Sequence, residues 1–322
     1  MESKTSERPT ALSVGLALAA VYLAWGSTYL AIRIAITTIP PFLMAAARFC
    51  TAGAILFIYG MARLKTTKPG LTWAQVLPTA NQWKCALWAG TALLCIGNGG
   101  VVWSEQRIAS GLVAIMLSVT PLFMVLLDKW ISRGDLSFRV GMGLFMGTLG
   151  IALLVKPNGS SAIDPVAATV VLLASFSWAA GSLYARQADL PKHPLVTAGM
   201  EMLAGGLLLL VIGVARGEWG RLQYAALTAQ SVWALIYLIV VGSLVGFTAY
   251  SWLLSHSRPA VFSTYSYVNP LVAVFLGWLI LHEPLTMPMA VAGALVVAAV
   301  VIIVTAPSRP AQSRNSQSDQ AA

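Results

Sequence analysis

Arg48 and Glu201 are the only ionisable residues deep inside the long apolar runs of this 322-residue sequence. A guanidinium in such a place can hold an anion, and a carboxyl can load and unload a proton. A charge at the centre of a hydrocarbon layer costs at least about 2.5–3.5 kcal/mol even on the lenient scale. Each therefore needs water, a hydrogen-bonding partner or a role in function. For Glu201 a proton-coupling role stands beside a structural one, as a carboxyl held by hydroxyl or backbone groups. For Arg48 contact with a solute stands beside a clamp on helix-end carbonyls or a neighbouring helix.

A second set of residues surrounds two prolines. Pro121 and Pro270 sit in "SVTP" and "YVNP". Proline removes a helical hydrogen bond and crowds the carbonyl four residues back, here that of Leu117 and Ser266. Thr120 and Asn269 stand beside these breaks, either to bind polar solute groups or to repair the kinks locally. Ser118, Tyr265 and Tyr267 share the same stretches and could line the same cavity. Asn98, within "GNGG" (97–100), is polar and flanked by glycines that let another backbone come close. Trp25, Tyr29 and Trp178 add aromatic surface for planar or apolar solutes, or for a cation. Trp103, Tyr184 and Trp252 stand nearer helix ends, where aromatic belts form. Glu105, His282 and Glu283 are also at helix ends, where charge is cheap.

Several chemistries are missing. No G-x-x-x-x-G-K-[ST] loop is present, so direct drive by ATP is not expected. H-E-x-x-H, G-x-S-x-G and a carboxylate pair within an apolar run are also missing, which speaks against an enzyme. Cys50, Cys85 and Cys95 give neither a disulfide framework nor metal-ligand spacing. No cofactor or metal is expected.

The elements that carry these residues follow from composition. Apolar residues make up 58% and charged residues 10%, against about 45–50% and about 25% in soluble domains. That balance excludes a conventional soluble enzyme and requires a lipid bilayer as partner. The net charge of +9 comes from 20 basic and 11 acidic residues. The basic residues are scattered between apolar runs, not gathered on one soluble face, so nucleic acid is not an expected partner. At about 20 residues per crossing, ten spans emerge: Leu12–Ile32, Phe42–Met61, Cys85–Trp103, Gly111–Trp130, Val140–Val155, Val166–Tyr184, Leu195–Ala215, Val232–Leu254, Ala260–Leu281 and Met289–Thr305. With the N-terminus in the cytoplasm, fourteen of the 20 basic residues fall on the cytoplasmic side, the bias that sets orientation. Both termini are then cytoplasmic, with short tails at 1–11 and 306–322, the latter expected to be disordered.

The sequence also repeats. At an offset of 153, Trp25 meets Trp178, Arg33 meets Arg186, Pro41 meets Pro194 and Arg48 meets Glu201. At an offset of 149, Trp103 meets Trp252 and "VTPL" meets "VNPL". Residues 12–156 and 164–305 are thus two copies of a five-helix unit. An odd number of spans turns the second copy upside down. The expected fold is an all-α membrane protein of ten transmembrane helices, a 5+5 inverted repeat around a central cavity, the plan of secondary transporters. Inversion places Arg48 and Glu201 at different depths, about 10 Å apart at 1.5 Å per residue, as separate charges and not an ion pair.

These residues carry a family resemblance. "AWGSTYLAIR" (24–33), Arg48, "GNGGVVWSEQRIASGLVAIMLSVTPLF" (97–123), "SWAAGSLYAR" (177–186) and "YSYVNPLVAVFLGWLILHEPL" (265–285) resemble the EamA family of the drug/metabolite transporter superfamily. The likeness covers about residues 12 to 305. It implies ten helices, a central cavity, and efflux of a small metabolite, amino-acid-like, or a drug, from the inner membrane by alternating access. Protons are a candidate coupling ion, beside the solute's own gradient. Import or facilitated passage of the same solutes is the nearest alternative, and a membrane enzyme or lipid-handling scaffold a more distant one.

Overall fold

In lipid every backbone N–H and C=O must be paired within the protein, and the described residues meet that demand with helices. The computed structural model describes residues 10–67, 70, 72–108, 110–132, 137–154, 164–281 and 287–306. The chain ends beyond these limits, and the expectation for His282 and Glu283, lie outside the described residues. No strand occurs among the described residues.

The chain runs α1 (Ala11–Ala35), α2 (Pro41–Thr67), α3 (Trp73–Val76), α4 (Ala80–Gly90), a π-helical segment (Thr91–Asn98) and α5 (Gly99–Ser104). It continues through α6 (Ser110–Leu117), α7 (Thr120–Ser132) and α8 (Phe138–Leu154). Next come α9 (Pro165–Gln187), α10 (Pro194–Ala215), α11 (Glu218–Arg221), α12 (Ala229–Tyr237), a second π-helical segment (Leu238–Val245) and α13 (Gly246–His256). The last are α14 (Pro259–Phe262), α15 (Tyr265–Leu281) and α16 (Met287–Thr305). Six continuous helices are long and apolar enough to cross a bilayer: Ala11–Ala35, Pro41–Thr67, Trp73–Ser104, Pro165–Gln187, Pro194–Ala215 and Ala229–His256.

Local chemistry sets the helix starts. Thr10, Thr79, Asp164 and Thr228 cap α1, α4, α9 and α12 with side-chain oxygens, meeting donors that have no partner in the first turn. Pro165, Pro194 and Pro259 open their helices, where a missing N–H costs nothing. The fourth expected span is divided: α6 stops at Leu117 and α7 starts at Thr120, one residue before Pro121. The ninth behaves differently. Its break lies at residues 263–264, between α14 and α15, and Pro270 is carried inside α15. Pro270 therefore does not interrupt the helix, because its ring falls early, in the second turn, where only the Ser266 carbonyl loses a donor.

Packing is tightest where small residues let backbones approach. The pair α2–α10 is the most extensive helix contact among the described elements. A β-carbon on Gly53 would lie 2.9 Å from the Leu203 backbone nitrogen, and one on Gly206 2.9 Å from that of Cys50. Gly143 and Gly147 form such a face too, against Ile303 and the Tyr267 ring. Opposite faces carry exposed Leu23, Ile58, Trp88, Leu173, Val211 and Trp233, the apolar surface that lipid covers. The three cysteines are unpaired.

The start of α2 is capped from a distance. The buried Glu218 carboxylate accepts the Phe42 and Leu43 backbone N–H groups at 2.9 and 3.0 Å through Oε2. Glu218→Ala leaves both donors buried without a partner, a loss of about 1–3 kcal/mol. Thermal unfolding in detergent should show a lowered midpoint for Glu218→Ala and a smaller drop for Glu218→Gln, which keeps an acceptor. Equal midpoints for wild type and Glu218→Ala would refute the cap.

Candidate functional site

Both π-helical segments are met by the first helix of the opposite half of the chain. The Trp25 Nε1 on α1 donates to the Gly242 carbonyl at 2.9 Å, and Ser177 Oγ on α9 donates to the Ala92 carbonyl at 2.9 Å. π-Helical turns widen the helix and often mark functional places. Gly242 and Gly246 make the first contact possible. β-Carbons there would lie 2.8 Å from Arg48 Nη2 and 2.5 Å from Trp25 Nε1. Gly97 does the same for Trp178, whose ring would lie 3.0 Å from an added β-carbon.

Between these helices lies a cavity of about 80 Å³. Its wall includes Trp25, Thr28, Tyr29, Arg48, Asn98, Thr120, Trp178, Tyr265 and Asn269. Drug-sized pockets run to about 300–1,000 Å³, so this one is closed down and must widen to take a solute. One side is shut by rings. Trp25 meets Trp178 edge-on at 5.4 Å, and Tyr250 and Tyr265 each lie 4.9 Å from Trp25. Tyr250 is wholly buried and holds the cluster with hydrogen bonds. Its hydroxyl accepts from Trp178 Nε1 at 3.1 Å and donates to Ser182 Oγ at 2.5 Å. Ser182 in turn donates to the Trp178 carbonyl at 2.6 Å.

Polar groups share the wall with the rings. Arg48 is 4% exposed; its Nε donates to Ser243 Oγ at 2.8 Å and its guanidinium carbon lies 4.7 Å from the Phe49 ring centre. Its Nη1 has no hydrogen-bond partner. Asn98 Oδ1 and Asn269 Oδ1 are also buried without partners, the Asn269 amide meeting the Tyr29 hydroxyl through its other side. The cavity thus offers one cationic donor and two amide acceptors, framed by aromatic rings. Buried polar atoms are rarely left so, and a solute with an anionic end and N–H or O–H donors would satisfy all three.

The expected site residues divide accordingly. Trp25, Tyr29, Arg48, Asn98, Thr120, Trp178, Tyr265 and Asn269 come together on the wall. Thr120 also repairs its break: Oγ1 donates to the Leu117 carbonyl at 2.5 Å and accepts from Ser175 Oγ at 2.7 Å. Ser118 and Pro121 are buried beside it, off the wall. Tyr267 turns away, with its hydroxyl on the Leu144 carbonyl at 3.3 Å. Glu201 is 1% exposed in α10, and both its oxygens lack partners, yet it does not reach the wall and forms no ion pair with Arg48. Trp103 lies under the Arg107 guanidinium at 3.9 Å, and Trp252 stacks on His256 at 4.4 Å.

One charge departs from its expected place. Glu105 follows the span Trp73–Ser104 and is fully buried, with neither oxygen hydrogen-bonded. The chain folds back at this end, where Arg33 Nη1 donates to the Glu105 carbonyl at 2.5 Å. Burial holds its carboxyl well above the ordinary carboxylate range, and the charges of Arg33 and Arg48 pull it back.

Residues 12–156 and 166–305 each match the model of the EamA-like transporter family. The chain is 34% identical over 263 residues to the uncharacterised inner membrane transporter YedA of Escherichia coli K12, covering 81% of this chain and 80% of that one. It is 24% identical to the protein PecM of Dickeya dadantii, over 87% of this chain and 88% of that one. A solved crystal structure shares the fold, with a TM-score of 0.72 at 19% identity, over 91% of this chain and 96% of that chain.

Proposed function

The chain belongs to the EamA-like transporter family, and on that premise we propose that it exports a small, amino-acid-like anionic solute through the Arg48 cavity by alternating access. It is a multi-pass membrane transporter; solute class, direction and membrane are our reading. The observation that carries the reading is the set of unsatisfied groups on the cavity wall, Arg48 Nη1, Asn98 Oδ1 and Asn269 Oδ1. A carboxylate suits the guanidinium, and an ammonium or hydroxyl suits the amide oxygens.

The wall draws residues from both halves of the sequence, which is what an inverted repeat with a shared site requires. With both termini in the cytoplasm of the host, the Arg33–Glu105 end faces outward and the aromatic closure faces inward. Opening at one end while the other stays shut is then a rocking of one half against the other. Glu201 sits off the wall, so a proton carried there acts at a distance from the solute.

The test is overproduction in a bacterium with its own exporters deleted, followed by comparison of metabolites inside and outside the cells. One or more small carboxylates should accumulate outside relative to the empty-vector strain. An unchanged metabolite profile in both compartments would refute export.

A further inference from the structure

Besides the solute cavity, the described residues enclose another, of about 310 Å³, and the two share no wall residue. On α2 its wall is Leu43, Ala46, Ala47 and Cys50, a stripe at i, i+3, i+4 and i+7. Arg48 and Phe49, from the same turn, line the solute cavity instead. Ala46, Ala47 and Cys50 are small, and the space they leave is bounded by Leu210 of α10 and Leu235 of α12. Ala47 and Trp219 are exposed, so this space is a groove open at the surface.

The chemistry of the wall selects its occupant. Its only side-chain heteroatoms are the Cys50 sulfur and the Trp219 indole nitrogen. A space so walled excludes water and takes an apolar molecule. Its reach selects further. Cys50 stands nine residues past Pro41, the start of α2, about 14 Å along the axis and close to half of a ~30 Å hydrocarbon core. The groove therefore runs from the interface toward the bilayer midplane, the span of one acyl chain.

The mouth carries charge. Arg216 follows the last residue of α10, and its guanidinium carbon lies 5.7 Å from the ring centre of Phe42, the neighbour of wall residue Leu43. Arg221 precedes wall residue Leu222, and its Nη2 donates to the Arg216 carbonyl at 2.6 Å. Both arginines are exposed. The one acidic residue of the α10–α12 connection, Glu218, is buried and spent on the Phe42 and Leu43 N–H groups. This rim thus keeps a net positive charge, and a guanidinium matches a phosphate. Trp219 stands at the same rim, as tryptophan does at membrane interfaces.

We propose that the groove holds one acyl chain of a bilayer phospholipid whose phosphate rests on Arg216 and Arg221. The chain supplies, between α2 and α12, the close apolar contact that side chains do not make there. The proposal goes beyond the solute reading and shares no residue with it.

The test uses the full chain, stripped of lipid in a sterol-based detergent that offers no flexible alkyl chain, with dioleoyl phosphatidylglycerol as probe. The three cysteines are unpaired and partly exposed, and only Cys50 is on this wall. Labelling by N-ethylmaleimide, followed peptide by peptide, therefore carries its own controls. Added phosphatidylglycerol should protect Cys50 saturably and leave Cys85 and Cys95 unchanged. Replacing Arg216 and Arg221 together by Gln should weaken that protection about tenfold or more in lipid concentration. Dioleoylglycerol, which has the chains but no phosphate, should protect as weakly. Native mass spectrometry should show one phospholipid retained on the wild type and on Leu23→Trp, a change on the exposed face of α1, and none on Ala47→Trp, which fills the mouth. Unprotected Cys50, or protection indifferent to the arginines and to the phosphate, overturns the proposal whether or not Ala47→Trp folds. A dimer that Ala47→Trp dissociates would seat a second copy of the chain in the groove and overturn it too. None of these outcomes bears on the Arg48 cavity, which the metabolite comparison tests.

Discussion

Arg48→Ala is expected to abolish the difference in exported solute between cells that make the protein and cells that do not. The guanidinium is the one full charge on the described cavity wall, and it is held in place. Nε is tied to Ser243 Oγ, and Gly242 leaves the space that Nη2 fills. What remains is Nη1, buried without a hydrogen-bond partner on a residue of the cavity wall. Truncating one member of a buried, hydrogen-bonded charge pair costs about 2–5 kcal/mol, or roughly 30-fold to several thousand-fold in affinity. Arg48→Lys should fall between. It keeps a charge but loses the planar fork and the Ser243 tie. The change should spare folding, because a lone buried cation is a burden on the membrane-embedded state. The check is export rate against thermal midpoint for the same preparations. Export within twofold of wild type in well-folded Arg48→Ala would remove Arg48 from the site.

The helical path was legible because lipid leaves few choices. Runs of about 20 apolar residues can only be helices there. Of the two tryptophan pairs matched by the repeat, Trp25 and Trp178 meet each other, while Trp103 and Trp252 pack on Arg107 and His256. Much of the wall was legible as well, since Arg48, Asn98 and Asn269 are polar residues in places where polarity must be explained. Other residues were misplaced for identifiable reasons. Tyr265 and Tyr267 share a stretch, but two residues along a helix turn about 200°, so only one can face the cavity. Glu201 matches Arg48 by offset, but a repeat constrains backbones and not which side chains reach a shared wall. Glu105 looked cheap because it ends a helix. Its burial depends on the chain folding back so that Arg33 closes over the turn, a contact 72 residues away in sequence. Tyr250 gave no signal, since its mate at an offset of 149 is Val101. The π-helical turns have no residue signature of their own.

Gly199→Val should prevent the two halves from packing, and the physical reason is separate from the chemistry of the cavity. Between two helices in lipid there is no hydrophobic drive to associate, so close van der Waals fit must do the work. On α10, a β-carbon at Gly199 would lie 2.6 Å from the Phe57 backbone nitrogen and 2.8 Å from its α-carbon. Those atoms belong to the α2 backbone and cannot rotate aside as a side-chain tip could. Overpacking a fitted core costs typically about 1–3 kcal/mol and occasionally more. Valine adds two further carbons beyond the clash, so the helices must separate or shift register. Because α2 carries Arg48, any such shift also moves the guanidinium from Ser243. The expected result is loss of a monodisperse peak in detergent and a strongly lowered thermal midpoint. Gly15→Val is the control: a β-carbon there meets nothing within 4 Å, and the midpoint should stay close to wild type. A wild-type midpoint for Gly199→Val would mean that α2 and α10 do not cross at this distance in the membrane.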